Sequence, residues 1–143
     1  MGKNVWENSL KGEYVGKSEL NSTVMGIVYP YHIYLPASYP QNVDKNYPVI
    51  YALDGQWNFK TLVNHIEQKN LEVIVVAIEE GPLGSDRRAI DYQLPGAINY
   101  LDFFRQEFMP LIESSYRINA NNRSFQGASL GGLTATVFML IDD

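Results

Sequence analysis

Short apolar runs and helix-spaced apolar positions alternate along the chain. Continuous apolar runs, typical of strands buried on both faces, occupy residues 49–55 ("VIYALDG") and 71–78 ("LEVIVVAI"). The segment between them, residues 57–70, carries apolar side chains on one helical face, at Phe59, Leu62, Val63 and Ile66. The pattern therefore predicts strand, helix, strand over this part of the chain.

Further elements are predicted on either side of this unit. Residues 25–36 are rich in Tyr, Ile and Val and favour an edge strand or hairpin arm. Residues 97–116 have helical spacing, with Pro110 expected to kink or divide the helix. A short strand is predicted at residues 123–127, followed by a helix of small residues that begins near Leu130.

Buried strands that alternate with helices predict an α/β fold. We expect a mostly parallel sheet with helices on both faces and a site at the carboxyl ends of the strands. The intervening segment 79–96 is predicted to be a loop of about eighteen residues, a length more common in functional loops.

Composition narrows the classes of partner. The 143 residues have a formal net charge of -5, and the eleven Lys and Arg residues form no basic cluster, so nucleic acid is not expected as a partner. The chain contains no cysteine, which excludes disulfides and thiolate chemistry. No apolar run has the length of a signal peptide or membrane span. We expect no membrane partner and a cytoplasmic location, although a mature secreted form would have the same sequence.

One short motif carries candidate chemistry. Gly127-Ala128-Ser129-Leu130-Gly131 follows a predicted strand and opens a predicted helix, the setting of a nucleophile elbow. In such a turn the serine has a strained backbone, and glycines two residues away on either side avoid collisions with the neighbouring strand and helix. The alternative is a glycine-rich strand-to-helix turn that only packs tightly.

An oxyanion would need backbone donors beside the serine. The amide of Leu130 is one candidate, because the first amides of a helix have no intrahelical acceptor. A second candidate is the amide of Gln56 in "LDGQW", where Gly55 would let the backbone approach a substrate. The alternative is that Asp54 and Gly55 simply form a tight turn that starts a helix.

The order of the motifs resembles a known family. "YHIYLP", "YPVIYALDG", "VIVVAIEE", "RRAIDY", "FFRQEFMPLIESSYRI" and "RSFQGASLGGL" together resemble the putative-esterase family of α/β-hydrolases, which includes esterase D, feruloyl esterases, siderophore esterases and the antigen 85 acyltransferases. Within this family, "LDGQW" favours a resemblance to the siderophore-esterase branch. The resemblance begins near Thr23, so we expect an N-terminal extension at residues 1–22 and the N-terminal half of a catalytic domain at residues 23–143.

The resemblance implies a function and a set of roles. It implies hydrolysis of small-molecule carboxylic esters through an acyl-enzyme, with no metal and no organic cofactor. Ser129 would be the nucleophile, and the amides of Leu130 and Gln56 would form the oxyanion hole, with Gly55 lining the site.

The "RRAIDY" segment matches a second family motif. Arg88, Asp91 and Tyr92 fit the family's R-x-x-D-Y loop near the mouth of the site. The resemblance implies that they line the substrate site or have a structural role, and we favour an Arg–Asp pair that holds the loop.

The remaining members of a catalytic triad have no place in the sequence. In this fold an acid and then a histidine follow the serine, but His32 and His65 precede it. Asp142 lies thirteen residues beyond Ser129 in one predicted helix, about 20 Å away, and Asp143 is no better placed. We therefore expect a fold truncated after the elbow helix, with negligible esterase activity in this chain alone.

A truncated sheet would also expose an edge. Residues 123–127 should then form an edge strand with exposed apolar flanks, which favours self-association or binding of a complementing C-terminal segment. Two alternatives to the esterase stay open: a non-catalytic binding or assembly module that keeps the half-fold, and an acyltransferase of the same fold.

Overall fold

The computed structural model describes residues 2–82 and 84–141 and shows a five-stranded sheet with helices on both faces. The strands are β1 (Glu13–Asn21), β2 (Val28–Leu35), β3 (Tyr47–Ala52), β4 (Ile74–Ile78) and β5 (Ile118–Gln126). The helices are α1 (Val5–Ser9), α2 (Gly55–Gln68), α3 (Arg87–Asp91), α4 (Gly96–Phe103), α5 (Met109–Ser115) and α6 (Leu130–Ile141), with a π-helical turn at Phe104–Phe108 between α4 and α5.

The sheet is mixed, in the order β1-β2-β4-β3-β5. β3 pairs in parallel with β4 and with β5, which confirms the parallel arrangement predicted for the central strands. β1 and β2 pair antiparallel, and β2 pairs antiparallel with β4. The carboxyl ends of β3, β4 and β5 therefore lie at one edge of the sheet, where the site is expected.

The described residues before position 22 include one helix and one strand. Asn4 caps α1, and its side chain and that of Glu7 bond to each other's backbone amides in a capping box. β1 then pairs with β2 along its whole length, from Glu13 opposite Leu35 to Asn21 opposite Val28. Residues 13–21 of the predicted N-terminal extension are thus part of the sheet.

The face of the sheet under α2 has an aliphatic and aromatic core. Phe59, Val63 and Ile66 of α2 are buried, and Leu62 is partly buried, which confirms the predicted helical face. They form one hydrophobic cluster with Val75 and other buried residues on that face of the sheet. All five residues of β4 are buried, as expected of a strand covered on both faces.

The opposite face is dominated by aromatic rings. Phe103, Phe104 and Phe108 are fully buried and pack edge-to-face or stacked against one another. The irregularity predicted at Pro110 is the π-helical turn just before it, and Pro110 itself lies in the first turn of α5. The amide of Met109, just before it, donates to the Phe104 carbonyl five residues earlier, so the chain remains helical through this turn.

Two elements differ from the expected pattern. Residues Arg87–Asp91, expected in a loop, form α3. β5 begins at Ile118, five residues before the predicted strand; Ile118 pairs with Tyr47 of β3, and a register shift follows before Arg123 pairs with Val49. α6 begins at Leu130 as predicted. No helix within the described ranges is long and apolar enough to cross a membrane.

Candidate active site

Two strand-to-helix turns lie side by side at the carboxyl ends of the parallel strands. β3 runs through Asp54 into α2, and β5 runs through Ser129 into α6. Both turn residues have positive φ, 55° for Asp54 and 55° for Ser129. A non-glycine residue in this conformation is strained, so each turn is held in place by its surroundings.

Gly127 and Gly131 suit the turn at Ser129 for different physical reasons. A Cβ at Gly127 would lie 2.2 Å from the Gly131 carbonyl oxygen and 2.8 Å from the Gly132 nitrogen, so only glycine fits beside the first turn of α6. A Cβ at Gly131 would lie 3.1 Å from Oδ2 of Asp54. The expected collision at Gly131 is therefore with the neighbouring turn's side chain, which shows how closely the two turns approach.

Ser129 is exposed at the tip of its turn. Its carbonyl accepts from the Leu133 amide at 3.1 Å, which joins the turn to the start of α6. Within residues 2–82 and 84–141, its hydroxyl has no hydrogen-bond partner. The hydroxyl is accessible, and no base is bonded to it.

Asp54 has the opposite environment. Its carboxylate is buried and accepts two hydrogen bonds from Arg88, from Nε at 2.9 Å and Nη2 at 3.0 Å. Its backbone amide donates to the Tyr92 hydroxyl at 3.2 Å. The hydrogen bonds to Asp54 raise the pKa of the Arg88 guanidinium. This ion pair fixes the turn that starts α2.

The predicted Arg–Asp pairing in the "RRAIDY" loop has different partners. Arg88 pairs with Asp54, whereas Asp91 accepts from Arg87 at 2.5 Å and from the Tyr29 hydroxyl at 2.5 Å. Burial raises the pKa of Asp91 even though these groups lower it. A buried carboxylate at a strand end needs a cation, and that signal in "ALDG" could have identified Asp54 as the partner.

Tyr92 links the loop to both turns. Its side chain is buried against Asp54, and its carbonyl accepts from the Thr134 hydroxyl of α6 at 2.9 Å. The α3 segment therefore contacts the start of α2 through Arg88 and α6 through Tyr92.

The two oxyanion candidates lie in comparable positions. Gln56 and Leu130 each lie in the first turn of a helix, where a backbone amide has no acceptor four residues earlier. Gly55 has a packing role, because a Cβ there would lie 3.0 Å from the Ala77 carbonyl group of β4. The Gln56 side-chain oxygen accepts from the Glu80 amide at 3.2 Å, which fixes the amide group on the β4 side.

Neither histidine is bonded to the serine within the described residues. His32 lies in β2, with Nδ1 2.7 Å from the Tyr14 hydroxyl and Nε2 2.6 Å from Glu79. His65 is exposed on α2. Asp142 and Asp143 lie outside the described residues. Across residues 2–82 and 84–141, no three His, Asp or Glu side chains are grouped to hold a metal ion.

A serine at positive φ between a parallel strand and a helix, beside a second such turn, defines an α/β-hydrolase type of fold. Residues 22–141 match the model of the family described as "Putative esterase", and the chain belongs to that family. The match excludes α1 and β1.

Solved structures of hydrolases have the same fold. The chain is similar to the IroE-like serine hydrolase from Shewanella oneidensis, with a TM-score of 0.75 and 29% identity over 88% of this chain and 46% of that one. It is similar to a ferulic acid esterase, with a TM-score of 0.68 and 29% identity over 91% and 55% of the two chains.

At lower identity, the siderophore hydrolase EstB from Aspergillus nidulans shares the fold, with a TM-score of 0.76 and 23% identity over 89% of this chain and 53% of that one. The chain thus spans about half the length of these structures. Among proteins with curated functions, none matches the chain.

Proposed function

We propose that this chain contributes the nucleophile and the oxyanion hole of a serine-dependent carboxylic ester hydrolase. The observation that carries the proposal is the turn at Ser129, where an exposed serine has φ 55° and Gly127 admits no side chain. Strain of this kind persists only where the surrounding structure enforces it, and it concentrates at functional sites.

The proposed reaction passes through an acyl-enzyme. The Ser129 oxygen attacks the ester carbonyl carbon while its proton passes to a base, and the carbonyl oxygen becomes an oxyanion. Collapse of this intermediate breaks the bond to the alcohol, which leaves with the proton returned by the base. Water then attacks the acyl-serine in the same way and releases the acid.

Two backbone amides are suited to the oxyanion. Those of Leu130 and Gln56 both start helices, so the positive end of each helix dipole adds to the hydrogen bond. The ion pair between Arg88 and Asp54 supports this role, because it fixes the turn that carries Gln56. In this proposal Arg88 and Tyr92 act by positioning the turn, and Asp91 stabilises α3.

The base and its orienting acid must come from other residues. His32 is engaged on both ring nitrogens, and His65 lies on an exposed part of α2. We propose that an acid and a histidine outside this sequence complete the triad. The names of the similar structures, a ferulic acid esterase and an IroE-like serine hydrolase, favour small-molecule esters as substrates.

The proposal predicts that the 143-residue chain alone has negligible turnover of p-nitrophenyl acetate. Without a base the serine hydroxyl is a poor nucleophile, and only residual rate from the oxyanion hole remains. Release of p-nitrophenol, compared with that of the Ser129→Ala variant, measures this. Clear turnover that disappears in the variant would show that a base lies within these residues.

A non-catalytic module is the second candidate, and the absence of a base bonded to Ser129 among the described residues favours it. The coding sequence downstream of Asp143 separates the two. A continuation that encodes an acid and a histidine supports the esterase. Its absence supports a module that retains the half-fold.

We also propose that the β5 edge of the sheet associates with a second copy or a complementing segment. β5 is the last strand in the sheet order, and beside it Met139 and Leu140 of α6 are 70% and 78% exposed. Sedimentation equilibrium is expected to show concentration-dependent association. A single monomeric species up to high concentration would show that the β5 edge does not associate with another chain.

A further inference from the structure

A cavity of about 390 Å³ lies between α3, the start of α4 and the turn that joins β1 to β2. It is separate from the turns at Asp54 and Ser129, since neither residue lines it. α3 thus contacts the Asp54 turn through Arg88 on one side and borders this cavity on another. We call it the α3 cavity, and the side chains that shape it are Val24, Met25, Arg87, Ile90, Asp91 and Asn99.

The walls of the α3 cavity are fixed by hydrogen bonds and close packing. The Glu107 carboxylate accepts from the amides of Thr23 at 2.7 Å and Val24 at 3.2 Å, which holds the β1–β2 turn in place. The start of α4 lies directly on α3, because a Cβ at Gly96 would lie 2.0 Å from the Ile90 carbonyl oxygen. A cavity with fixed walls loses little conformational freedom when a ligand binds.

Arg87 has hydrogen-bond donors that are not used within the described residues. Its Nη2 donates to Oδ1 of Asp91 at 2.5 Å, and the other oxygen of Asp91 accepts from the Tyr29 hydroxyl. The Nε–H group of Arg87 is buried without a partner. A guanidinium carries more N–H donors than these contacts use, so Arg87 can bind a further acceptor.

The α3 cavity has more free donors than free acceptors. The Asn99 side chain is exposed at the rim and forms no hydrogen bond with any residue in the described ranges. Both oxygens of Asp91 are already bonded, and the Glu107 carboxylate is held by the β1–β2 turn. An acceptor-rich group is therefore favoured, and a carboxylate matches the planar guanidinium of Arg87.

The remaining walls of the α3 cavity are apolar. Val24 and Ile90 are 41% and 47% exposed, and Met25 packs against the buried core. Covering these side chains would remove apolar surface from water. Since a cavity of about 150 Å³ holds benzene, the volume here suits a chain of about six carbons with its carboxylate.

We propose that the α3 cavity binds a small aliphatic carboxylate. The carboxylate binds the unused N–H groups of Arg87 and the amide of Asn99, and the aliphatic chain covers the apolar walls. Arg87 keeps its bond to Asp91, so the guanidinium bridges two carboxylates. This binding needs neither Ser129 nor a catalytic base, so it stands or fails independently of the esterase proposal.

The test uses hexanoate as the probe and the 143-residue chain labelled with [methyl-¹³C]methionine. The chain has four methionines, of which Met25 lines the cavity and Met139 lies exposed on α6. Hexanoate is expected to shift the Met25 methyl signal saturably and to leave that of Met139 unchanged. Hexan-1-ol, which keeps the chain without the charge, should bind about fivefold more weakly. Acetate, which keeps the charge without the longer chain, should also bind more weakly.

Two asparagine variants test the charge in the cavity. Asn99→Asp adds a negative charge at the rim, so it should weaken hexanoate binding about fivefold and leave hexan-1-ol binding unchanged. Asn46→Asp adds the same charge in an exposed segment just before β3, and it should bind hexanoate like the parent chain. Both asparagines are exposed, and an unchanged methyl signal of the buried Met109 confirms that each variant is folded.

Arg87→Lys tests the guanidinium itself. Lysine keeps a positive charge beside Asp91 but lacks the planar pair of N–H donors, so the preference for hexanoate over hexan-1-ol should fall about threefold. Because both ligands are measured on the same variant, this ratio does not depend on the stability of the variant.

The proposal fails if the Met25 methyl signal does not shift saturably, or if the Met139 signal shifts as much. Equal affinity for hexanoate and hexan-1-ol would contradict it, as would equal hexanoate affinity in Asn99→Asp and Asn46→Asp. An unchanged preference for hexanoate in Arg87→Lys would show that the guanidinium does not bind the carboxylate.

Discussion

The turns at Asp54 and Ser129 share a backbone conformation and differ in everything around it. Both follow a parallel strand, both precede a helix, and both have φ 55°. Asp54 is 1% exposed, with its carboxylate bonded twice to Arg88. Ser129 is exposed, and within the described residues its hydroxyl bonds to nothing.

The difference shows two ways of maintaining a strained turn. At Asp54 the strain is offset by bonds to the strained residue itself. Its carboxylate pairs with Arg88, and its backbone amide donates to the Tyr92 hydroxyl. At Ser129 the strain is enforced from outside, by the close approach of Gly127 to α6 and of Gly131 to Asp54. Only the arrangement at Ser129 leaves the side chain available for chemistry. It depends on the turn at Asp54, because Gly131 packs against the Asp54 carboxylate.

The largest expected effect comes from removing the charge at Asp54. Asn tolerates positive φ, so Asp54→Asn keeps the backbone conformation and removes the negative charge and one of the two oxygens that accept from Arg88. We expect a loss of about 2–3 kcal/mol in the free energy of unfolding, because the pair is largely desolvated. Urea denaturation measures it.

Asp86 provides a matched control for this change. It also has positive φ, 54°, and is exposed, with no side-chain bond at the start of α3. Asp86→Asn should change stability by less than about 0.5 kcal/mol. Equal effects of the two variants would show that the ion pair does not stabilise the Asp54 turn.

A smaller effect of opposite sign is expected at Ser129. Glycine adopts positive φ without strain, so Ser129→Gly should raise the free energy of unfolding by about 0.5–1 kcal/mol. In Ser114→Gly, within α5, the same replacement removes a helix former and should lower stability by about 0.5 kcal/mol.

This pair of variants tests the strain directly by thermal or urea unfolding. A loss of stability in Ser129→Gly comparable to that in Ser114→Gly would mean that the turn is relaxed, and the contrast with Asp54 would then be one of bonding alone.

Much of the fold was predictable because the central elements carry strong apolar patterns. β4 is buried on both faces, and α2 has a regular apolar stripe, so each had a clear signal. β1 is rich in polar residues and only partly buried at alternate positions, and the start of β5 is polar. Both segments form strands because they pair with a neighbouring strand. Such strands have little pattern of their own.

For the site, sequence motifs predicted the turns but not all the partners. The spacing of Gly127 and Gly131 around Ser129 is local, so the turn at the start of α6 could be predicted. The bond from Arg88 to Asp54 joins residues 34 positions apart, and Arg87 and Arg88 were both available for Asp91. Which arginine turns to which carboxylate is set by the orientation of α3, which no local pattern shows.

The central claim is that Ser129 is the nucleophile of an ester hydrolase. It is tested most directly by p-nitrophenyl acetate turnover in the complete gene product and in its Ser129→Ala variant, with circular dichroism to confirm folding. We predict turnover that falls at least about a thousandfold in the variant. Turnover that is equal in the two proteins, or absent from both, would contradict the claim.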